Sequence, residues 1–191
     1  MVNTPFTTII ALVQDRPGVL NRVTNLIRRR NFNISSLAVG PSETRGLSRM
    51  TFVTEADSRT LEQVTQQLRK LVDVVKVYQV DDANSISREL LLFRVSSTIE
   101  NRSSIIQIAN IFRTNIVDVA HDSMIIEVTG DETKLDSLLE LLKPFGITDI
   151  SRSGRLAINR GSLDTPEFSP VQTPRRTRTR KKSNIQDELG W

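Results

Sequence analysis

The stretch LVQDRPGVLNRVTNLIRRRNFNIS, residues 12 to 35, decides the fold of the first half of the chain. It continues a run, residues 6 to 14, that is rich in β-branched side chains and predicts a strand. Residues 15 to 18 form a turn containing proline and glycine, and an amphipathic helix follows. The apolar face of that helix is marked by side chains at helical spacing, namely Val19, Leu20, Val23, Leu26 and Ile27. A glycine-containing turn between a strand and a helix often cradles an anion, so this stretch raises the question of a ligand.

The remainder of the first half continues the alternation of strands and helices. Residues 34 to 40 and 47 to 55 predict two strands. The turn between these strands holds Pro41, Ser42 and Gly46. A second helix begins at Ser58 as its N-cap, and its apolar stripe consists of Leu61, Val64, Leu68 and Leu71. Residues 74 to 80 predict a closing strand, which gives the order βαββαβ of a ferredoxin-like domain.

The same order of elements returns in the second half, after a polar segment at residues 81 to 87 that predicts a loop. Two helical faces are expected, one carrying Ile105, Ile108, Ala109 and Phe112, the other Leu135, Leu138, Leu139 and Leu142. The predicted strands are residues 89–97, 115–120, 123–129 and 147–158, the last with a break at Gly154. We therefore predict an α+β protein with two ferredoxin-like βαββαβ domains, residues 5–82 and 83–162.

The charge of the chain is concentrated in a tail. Six of the 26 basic residues lie in RRTRTRKK, residues 175–182, and the remaining 20 are slightly outnumbered by the 22 acidic residues. Residues 163–191 contain three prolines and no apolar periodicity, so we expect a disordered basic tail. The basicity therefore does not indicate a folded nucleic-acid groove, and contact of the tail with nucleic acid would be weak and salt-dependent.

The composition excludes several classes of chemistry. There is no cysteine, so disulfides and thiolate catalysis are excluded. The single histidine, His121, falls in a predicted hairpin turn, where histidine is far more often solvated than catalytic. Asp81 and Asp82 follow a strand and fit a loop start better than a metal pair. No signal peptide is visible and no apolar run approaches the roughly 20 residues that span a bilayer, so we expect a cytoplasmic protein.

The turn at residues 15 to 18 has the chemistry to bind a free α-amino acid. Pro17 lies near the first helical position, where its φ is already set and its missing N–H costs nothing, and Gly18 lets a ligand approach the backbone. The N–H groups of Gly18, Val19 and Leu20 would be unpaired and suit a carboxylate, while Asp15 could accept from an ammonium group. The spacing alone leaves open a structural alternative, in which Asp15 only caps the helix and Gly18 only packs.

The motifs DRPGVLNRV, RRRNFNISSLAVGPSE, LSRMTFV and QLRKLVDVVKV closely resemble an ACT domain. More specifically, they resemble the regulatory small subunit of acetolactate synthase, also called acetohydroxyacid synthase. In the second half, IFRTNIVDV and SRSGRLAINRG resemble the C-terminal domain of that family, so the resemblance covers about residues 5 to 161.

The resemblance implies a role without catalysis. Members of this family bind a catalytic large subunit, raise its activity and confer feedback inhibition by a branched-chain amino acid, usually valine. The pathway is the biosynthesis of valine, leucine and isoleucine. Thiamine diphosphate, magnesium and FAD would belong to the large subunit, so no cofactor is expected in this chain.

The resemblance also implies a homodimer of ACT domains with the effector at their interface. One protomer would supply the turn, with Asp15, Pro17, Gly18, Val19 and Leu20, and its partner would supply Asn33 and Ile34. From the residues alone, Asn33 can hydrogen-bond either end of an amino acid or serve as a turn residue. Val19, Leu20 and Ile34 can form an apolar wall or ordinary core, and Leu20 is expected to be core first.

Self-association is expected on physical grounds as well. In this fold both helices cover one face of the sheet, which leaves the other face and an edge strand open. A homodimer removes that liability. Two other functions are alternatives: a stand-alone amino-acid sensor with a nucleic-acid-contacting tail, and a metabolic enzyme. No set of residues supports the enzyme.

Overall fold

The computed structural model describes residues 6–161, and the predicted disordered tail, residues 163–191, lies outside them. The first half contains β1 (Phe6–Gln14), α1 (Val19–Arg29), β2 (Ser36–Pro41), β3 (Leu47–Glu55), α2 (Ser58–Arg69) and β4 (Val74–Val80). The second half contains β5 (Ser85–Ser96), α3 (Arg102–Ile111), β6 (Asn115–Val119), β7 (Ser123–Gly130), α4 (Glu132–Leu142), β8 (Ile147–Arg152) and β9 (Leu156–Asn159). The predicted order of elements is confirmed in both halves.

The first four strands form an antiparallel sheet in the order β2-β3-β1-β4, and α1 and α2 pack on one face of it. Alternate side chains of β1 point to that face, because successive residues of a strand face opposite sides. The core between sheet and helices includes Ile9, Ala11, Val13, Val23, Leu26, Phe52, Val64 and Leu68. This arrangement is the predicted ferredoxin-like domain.

The start and end of α2 differ from the prediction. Asp57, not Ser58, is the N-cap, because its carboxylate accepts a 2.7 Å hydrogen bond from the N–H of Thr60. The helix ends at Arg69, so Leu71 lies beyond it, although Leu71 still packs against the core. The predicted apolar spacing of α2 is confirmed, and only its two boundaries differ from the prediction.

The second sheet has the order β6-β7-β5-β8, with β9 also paired to β5, and α3 and α4 cover one face. Its core includes Leu91, Phe93, Val95, Ile105, Met124, Ile126, Leu135 and Leu138. The predicted loop at residues 81–87 is wrong at its end, because β5 already begins at Ser85. The polar residues Ser85 and Ser87 are held in the strand by their ladder with β9.

The last strand is broken at Gly154, as predicted, and the break redirects the chain. β8 pairs with β5 up to Leu91 opposite Arg152, and β9 resumes at Arg88 opposite Leu156. Three residues of the last strand therefore face two of β5, which is the geometry of a β-bulge. Gly154 lies in the left-handed region with φ 82°.

The face of the first sheet that carries no helix is partly covered by β9, so the expectation of an open face is wrong for this region. Ala157 packs there against Ile10 and Val80, with Tyr78 alongside. Beyond the bulge at Gly154, β9 remains paired to β5 and at the same time packs on the first sheet. Among residues 6–161, no helix combines the length and the apolarity that crossing a bilayer requires.

Candidate functional site

The turn between β1 and α1 is fixed by two neighbouring loops. The N–H of Gln14 donates a 2.8 Å hydrogen bond to the carbonyl of Asp73, and the N–H of Asp15 donates a 2.9 Å bond to the carbonyl of Gly46. The turn is thus held from both sides while residues 15–18 remain exposed to solvent. Sequence reasoning missed Asp73 and the bond to Gly46, although an acidic residue within the apolar run LVDVV was a visible signal.

Gly18 is the N-cap of α1 and lies in the left-handed region, with φ 85°. A Cβ at this position would meet no atom of residues 6–161 within 4 Å, so glycine is required by the backbone conformation and not by packing. No side chain within the described part of the chain caps α1. Both parts of the structural alternative are therefore wrong, since Asp15 does not cap the helix and Gly18 does not pack. Pro17 lies two residues before Val19, the first residue of α1.

The start of α1 offers backbone N–H groups to solvent, although fewer than predicted. The N–H of Val19 donates a long 3.3 Å hydrogen bond to the carbonyl of Arg16, so the expectation that it is unpaired is wrong. The N–H groups of Gly18 and Leu20 have no acceptor among residues 6–161. These two groups and the positive end of the helix dipole can receive a carboxylate.

The three apolar residues assigned to the ligand wall have different environments. Val19 is buried with 3% of its surface exposed and belongs to the core, whereas Leu20 is 45% exposed. The expectation that Leu20 is core first is therefore wrong, because it lies one position off the buried stripe of α1. Ile34 is partly buried against the core. Of the three, Leu20 has the most free surface for an aliphatic ligand.

Asn33 and Ile34 lie at the other end of the sheet from the turn. Ser36, at the start of β2, is in register with Val53, which faces Thr8 on β1, whereas the turn follows Gln14. Six residues along a strand span roughly 20 Å, so the two groups cannot touch the same amino acid within one protomer. Asn33 is exposed, and its carbonyl accepts a 2.6 Å hydrogen bond from Thr54 Oγ1.

The loop that supports the turn carries an ion pair. Arg49 Nη2 lies 3.1 Å from Glu43 Oε2, and Arg49 Nη1 donates to the Tyr78 hydroxyl at 3.2 Å. A backbone hydrogen bond, followed by the bond from Arg49, holds the pKa of Glu43 below its usual value. Burial and the neighbouring Arg49 lower the pKa of Lys76, whose Nζ lies 5.4 Å from the centre of the Tyr78 ring. Glu43 therefore stays ionised beside this end of the sheet at neutral pH.

His121 and Asp81 make the hydrogen bonds of ordinary turn residues. His121 is exposed in the β6–β7 turn, where its carbonyl accepts a 2.8 Å bond from Arg102. Asp81 caps the short turn before β5, accepting from the N–H of Ala83 and from Asn84 Nδ2. Within residues 6–161, no group of three or more histidine, aspartate or glutamate side chains is placed to hold a metal ion.

Comparison with known proteins agrees with this architecture in both halves. Residues 9–76 match a family model described as an AHAS small subunit-like ACT domain. Residues 88–161 match a model described as the small subunit of acetolactate synthase.

Relatives match over almost their full length. The chain is 48% identical over 154 residues to the acetolactate synthase small subunit of Mycobacterium bovis, which covers 81% of this chain and 92% of that protein. It is 51% identical over 160 residues to a probable acetolactate synthase small subunit of Methanothermobacter thermautotrophicus, covering 83% and 95%. The crystal structure of the Thermotoga maritima small subunit superposes with a TM-score of 0.79 at 40% identity, covering 83% of this chain and 99% of that one.

The fold and the matches first define a class, that of two-domain proteins with an N-terminal ACT domain. The chain belongs to the acetolactate synthase small subunit family. A small subunit of this enzyme implies a catalytic large subunit as its partner.

Proposed function

We propose that this chain is a non-catalytic regulatory subunit that activates the catalytic large subunit of acetolactate synthase and mediates feedback inhibition by valine or another branched-chain amino acid. The observation that carries the proposal is the uncapped N-terminus of α1, where Gly18 leaves open space over two backbone N–H groups without an acceptor in the described residues. A carboxylate fits there, and the exposed Asp15 supplies a partner for an ammonium group.

A homodimer would complete the site. β2 is an edge strand of the first sheet, and edge strands invite pairing with a second chain. If two copies pair through β2 about a two-fold axis, the strands run antiparallel, and the start of one β2 meets the end of the other. Asn33 and Ile34 of one copy would then lie at the end of the sheet that carries Gly18 and Leu20 of its partner. The separation of these residues within one protomer supports this assembly.

The remaining assignments follow from the same role. Thiamine diphosphate, magnesium and FAD would be held by the large subunit, and the complex would work in the cytoplasm. We place the boundary between domains at residues 82–83, within the short turn between β4 and β5. A branched side chain is favoured as the effector because Leu20 and Ile34 offer apolar surface, but one methylene discriminates by only about 1–3 kcal/mol.

The proposal is tested by titrating valine, leucine and isoleucine into the purified chain and into its complex with the large subunit. A ligand at about 100 times its Kd should add roughly 2.7 kcal/mol of apparent stability. Light scattering after gel filtration measures whether the chain is a dimer. Acetolactate formation by the complex, with and without the amino acid, measures activation and inhibition.

Gly18→Asp and Gly18→Asn form a matched pair for this test. Both place a side chain at φ 85°, so they share the backbone strain, but only aspartate brings a negative charge to the carboxylate position. We expect Gly18→Asp to abolish inhibition and Gly18→Asn to weaken it less. Inhibition of the Gly18→Asp complex as strong as that of the unmodified complex would show that the effector binds elsewhere.

A further inference from the structure

Arg155 joins the two domains at the bulge between β8 and β9. Its backbone N–H donates a 2.9 Å hydrogen bond to Ser36 Oγ at the start of β2. Its Nη1 donates to Thr8 Oγ1 on β1 at 3.2 Å, and its Nη2 pairs with Glu132 Oε2 at the start of α4 at 2.6 Å. One residue of the C-terminal half thus contacts two strands of the ACT domain and one helix of its own domain.

These contacts are shielded from water on the ACT side. Thr8 is 1% exposed, and the side chain of Arg155 is 14% exposed. Hydrogen bonds with one ionised partner are roughly twice as strong as neutral ones. The guanidinium is a planar fork with several donors, so its two Nη atoms serve the hydroxyl and the carboxylate separately, a geometry that the single ammonium nitrogen of lysine does not reproduce.

The contact lies next to one half of the proposed effector site. Ser36 follows Asn33 by three residues, and the intervening backbone is bonded to β3. The carbonyl of Asn33 accepts from Thr54, and the N–H of Ser35 donates to Val53 at 2.9 Å. A displacement of Asn33 on ligand binding would therefore be carried to Ser36 and not absorbed by a loose loop.

The packing at this point is also close. A Cβ on Gly154 would lie 2.9 Å from Ser36 Oγ and 3.1 Å from the carbonyl oxygen of Leu37. There is no room for the bulge and β2 to shift toward each other independently. The start of β2 and the start of β9 are therefore positioned as a pair.

We infer that Arg155 is a positioning residue that transmits effector binding from the start of β2 to the C-terminal domain, an inference that rests on the proposed function. The backbone N–H of Arg155 holds the start of β2, and its fork sets the position of β1 relative to α4. Its loss should uncouple ligand binding from inhibition while leaving the effector residues in place.

Thr8→Val is the most selective test, because it removes one hydroxyl from a buried site with little change of shape. Thr51→Val is its matched control. Thr51 is 2% exposed and lies on the same face of the sheet, opposite Ile10. Arg155→Lys is the second test, since it keeps the charge beside Glu132 and loses the fork. Each variant is measured in the full complex with the large subunit, for valine affinity, for activity without valine and for residual activity at saturating valine.

We expect Thr8→Val and Arg155→Lys to bind valine and to activate as the unmodified chain does, while the factor by which valine suppresses activity falls roughly two- to thirtyfold. Thr51→Val should behave as the unmodified chain. Unchanged suppression in both variants, with valine bound, would overturn this inference and leave the proposed function standing. Parallel loss of activation, binding and melting temperature would also overturn it, because it indicates a purely structural contact. Failure of the unmodified complex to bind any branched-chain amino acid would overturn both.

Discussion

Arg22 Nε lies 2.7 Å from Asp73 Oδ2, an ion pair that links the first turn of α1 to the loop before β4. The two partners differ in environment, since the side chain of Arg22 is 52% exposed and that of Asp73 is 9% exposed. Asp73 Oδ2 accepts no hydrogen bond of regular geometry among the described residues, so its contact with Arg22 is chiefly one of charge.

This asymmetry predicts unequal effects of removing either partner. Arg22→Ala leaves a buried carboxylate without a counter-charge and should lower the free energy of unfolding by about 1–3 kcal/mol. Asp73→Asn leaves a half-exposed arginine that water can solvate, so we expect a smaller loss. Urea unfolding at pH 7 measures both, with Arg22→Lys as the charge-preserving control. An equal loss from both variants would contradict the predicted desolvation of Asp73.

Gly154 should tolerate no side chain. Gly154→Ala combines positive φ with a close approach to Ser36 and the backbone of Leu37, and overpacking of this kind costs about 1–3 kcal/mol. Gly161→Ala is the control, because Gly161 also has positive φ but a Cβ there would meet no atom of the described residues within 4 Å. Thermal unfolding should place Gly154→Ala clearly below Gly161→Ala. Equal melting temperatures would argue against the tight contact between the bulge and β2.

Substitutions at Val19 and Leu20 should have different effects, the first on stability and the second on ligand binding. Val19→Ala removes two buried methyl groups and should cost about 1–3 kcal/mol of stability. Leu20→Ala changes a surface side chain and should change stability by no more than about 0.5 kcal/mol. In calorimetric titrations with valine, Leu20→Ala should nevertheless weaken binding. Unaltered valine affinity in Leu20→Ala would remove Leu20 from the ligand wall.

The contribution of the N-cap residue Asp57 to the free energy of unfolding should depend on pH. Hydrogen bonds from the side chain and backbone of Thr60 lower the pKa of Asp57 below its usual value of 3.8. A carboxyl with a depressed folded pKa stabilises the fold above its unfolded pKa and loses that contribution as pH falls through the folded pKa. The stability difference between the unmodified chain and Asp57→Ala should therefore be constant from pH 7 to about 5 and shrink below pH 3.8.

Asp57→Asn provides the control for this titration. Asparagine is also a good N-cap but carries no ionisable group, so its contribution should not change with pH. Denaturant unfolding of the three proteins between pH 7 and pH 3 gives the comparison. A difference that stays constant to pH 3 would show that the Asp57 carboxylate does not stabilise the helix.

Periodicity was sufficient to predict the elements, because a core-facing helix or strand repeats its apolar residues regardless of what it packs against. It was sufficient also for the break at Gly154. It failed where a partner distant in sequence decides the outcome. Ser85 and Ser87 look like loop residues until β9, about 70 positions later, pairs with them.

The candidate site shows the same limit. The turn and its open helix N-terminus follow from DRPG, because proline and glycine act locally. Leu20 is predicted to be core because it continues the apolar face begun by Val19, and a shift of one position around the helix reverses exposure. The contact of Arg155 with Thr8 spans 147 positions and has no local signature.

Strand β5 takes part in three ladders, with β9 through Ser85–Arg88 and with β7 and β8 through its later residues. The backbone that follows the ACT domain is therefore hydrogen-bonded to other strands from Ser85 onward. Its amide protons should exchange with solvent only when a whole cooperative unit opens, and not at the fast rate of a tether. The two domains are thus joined by a strand that is paired along its length. A change in the angle between the domains requires β5 and its paired strands to twist together.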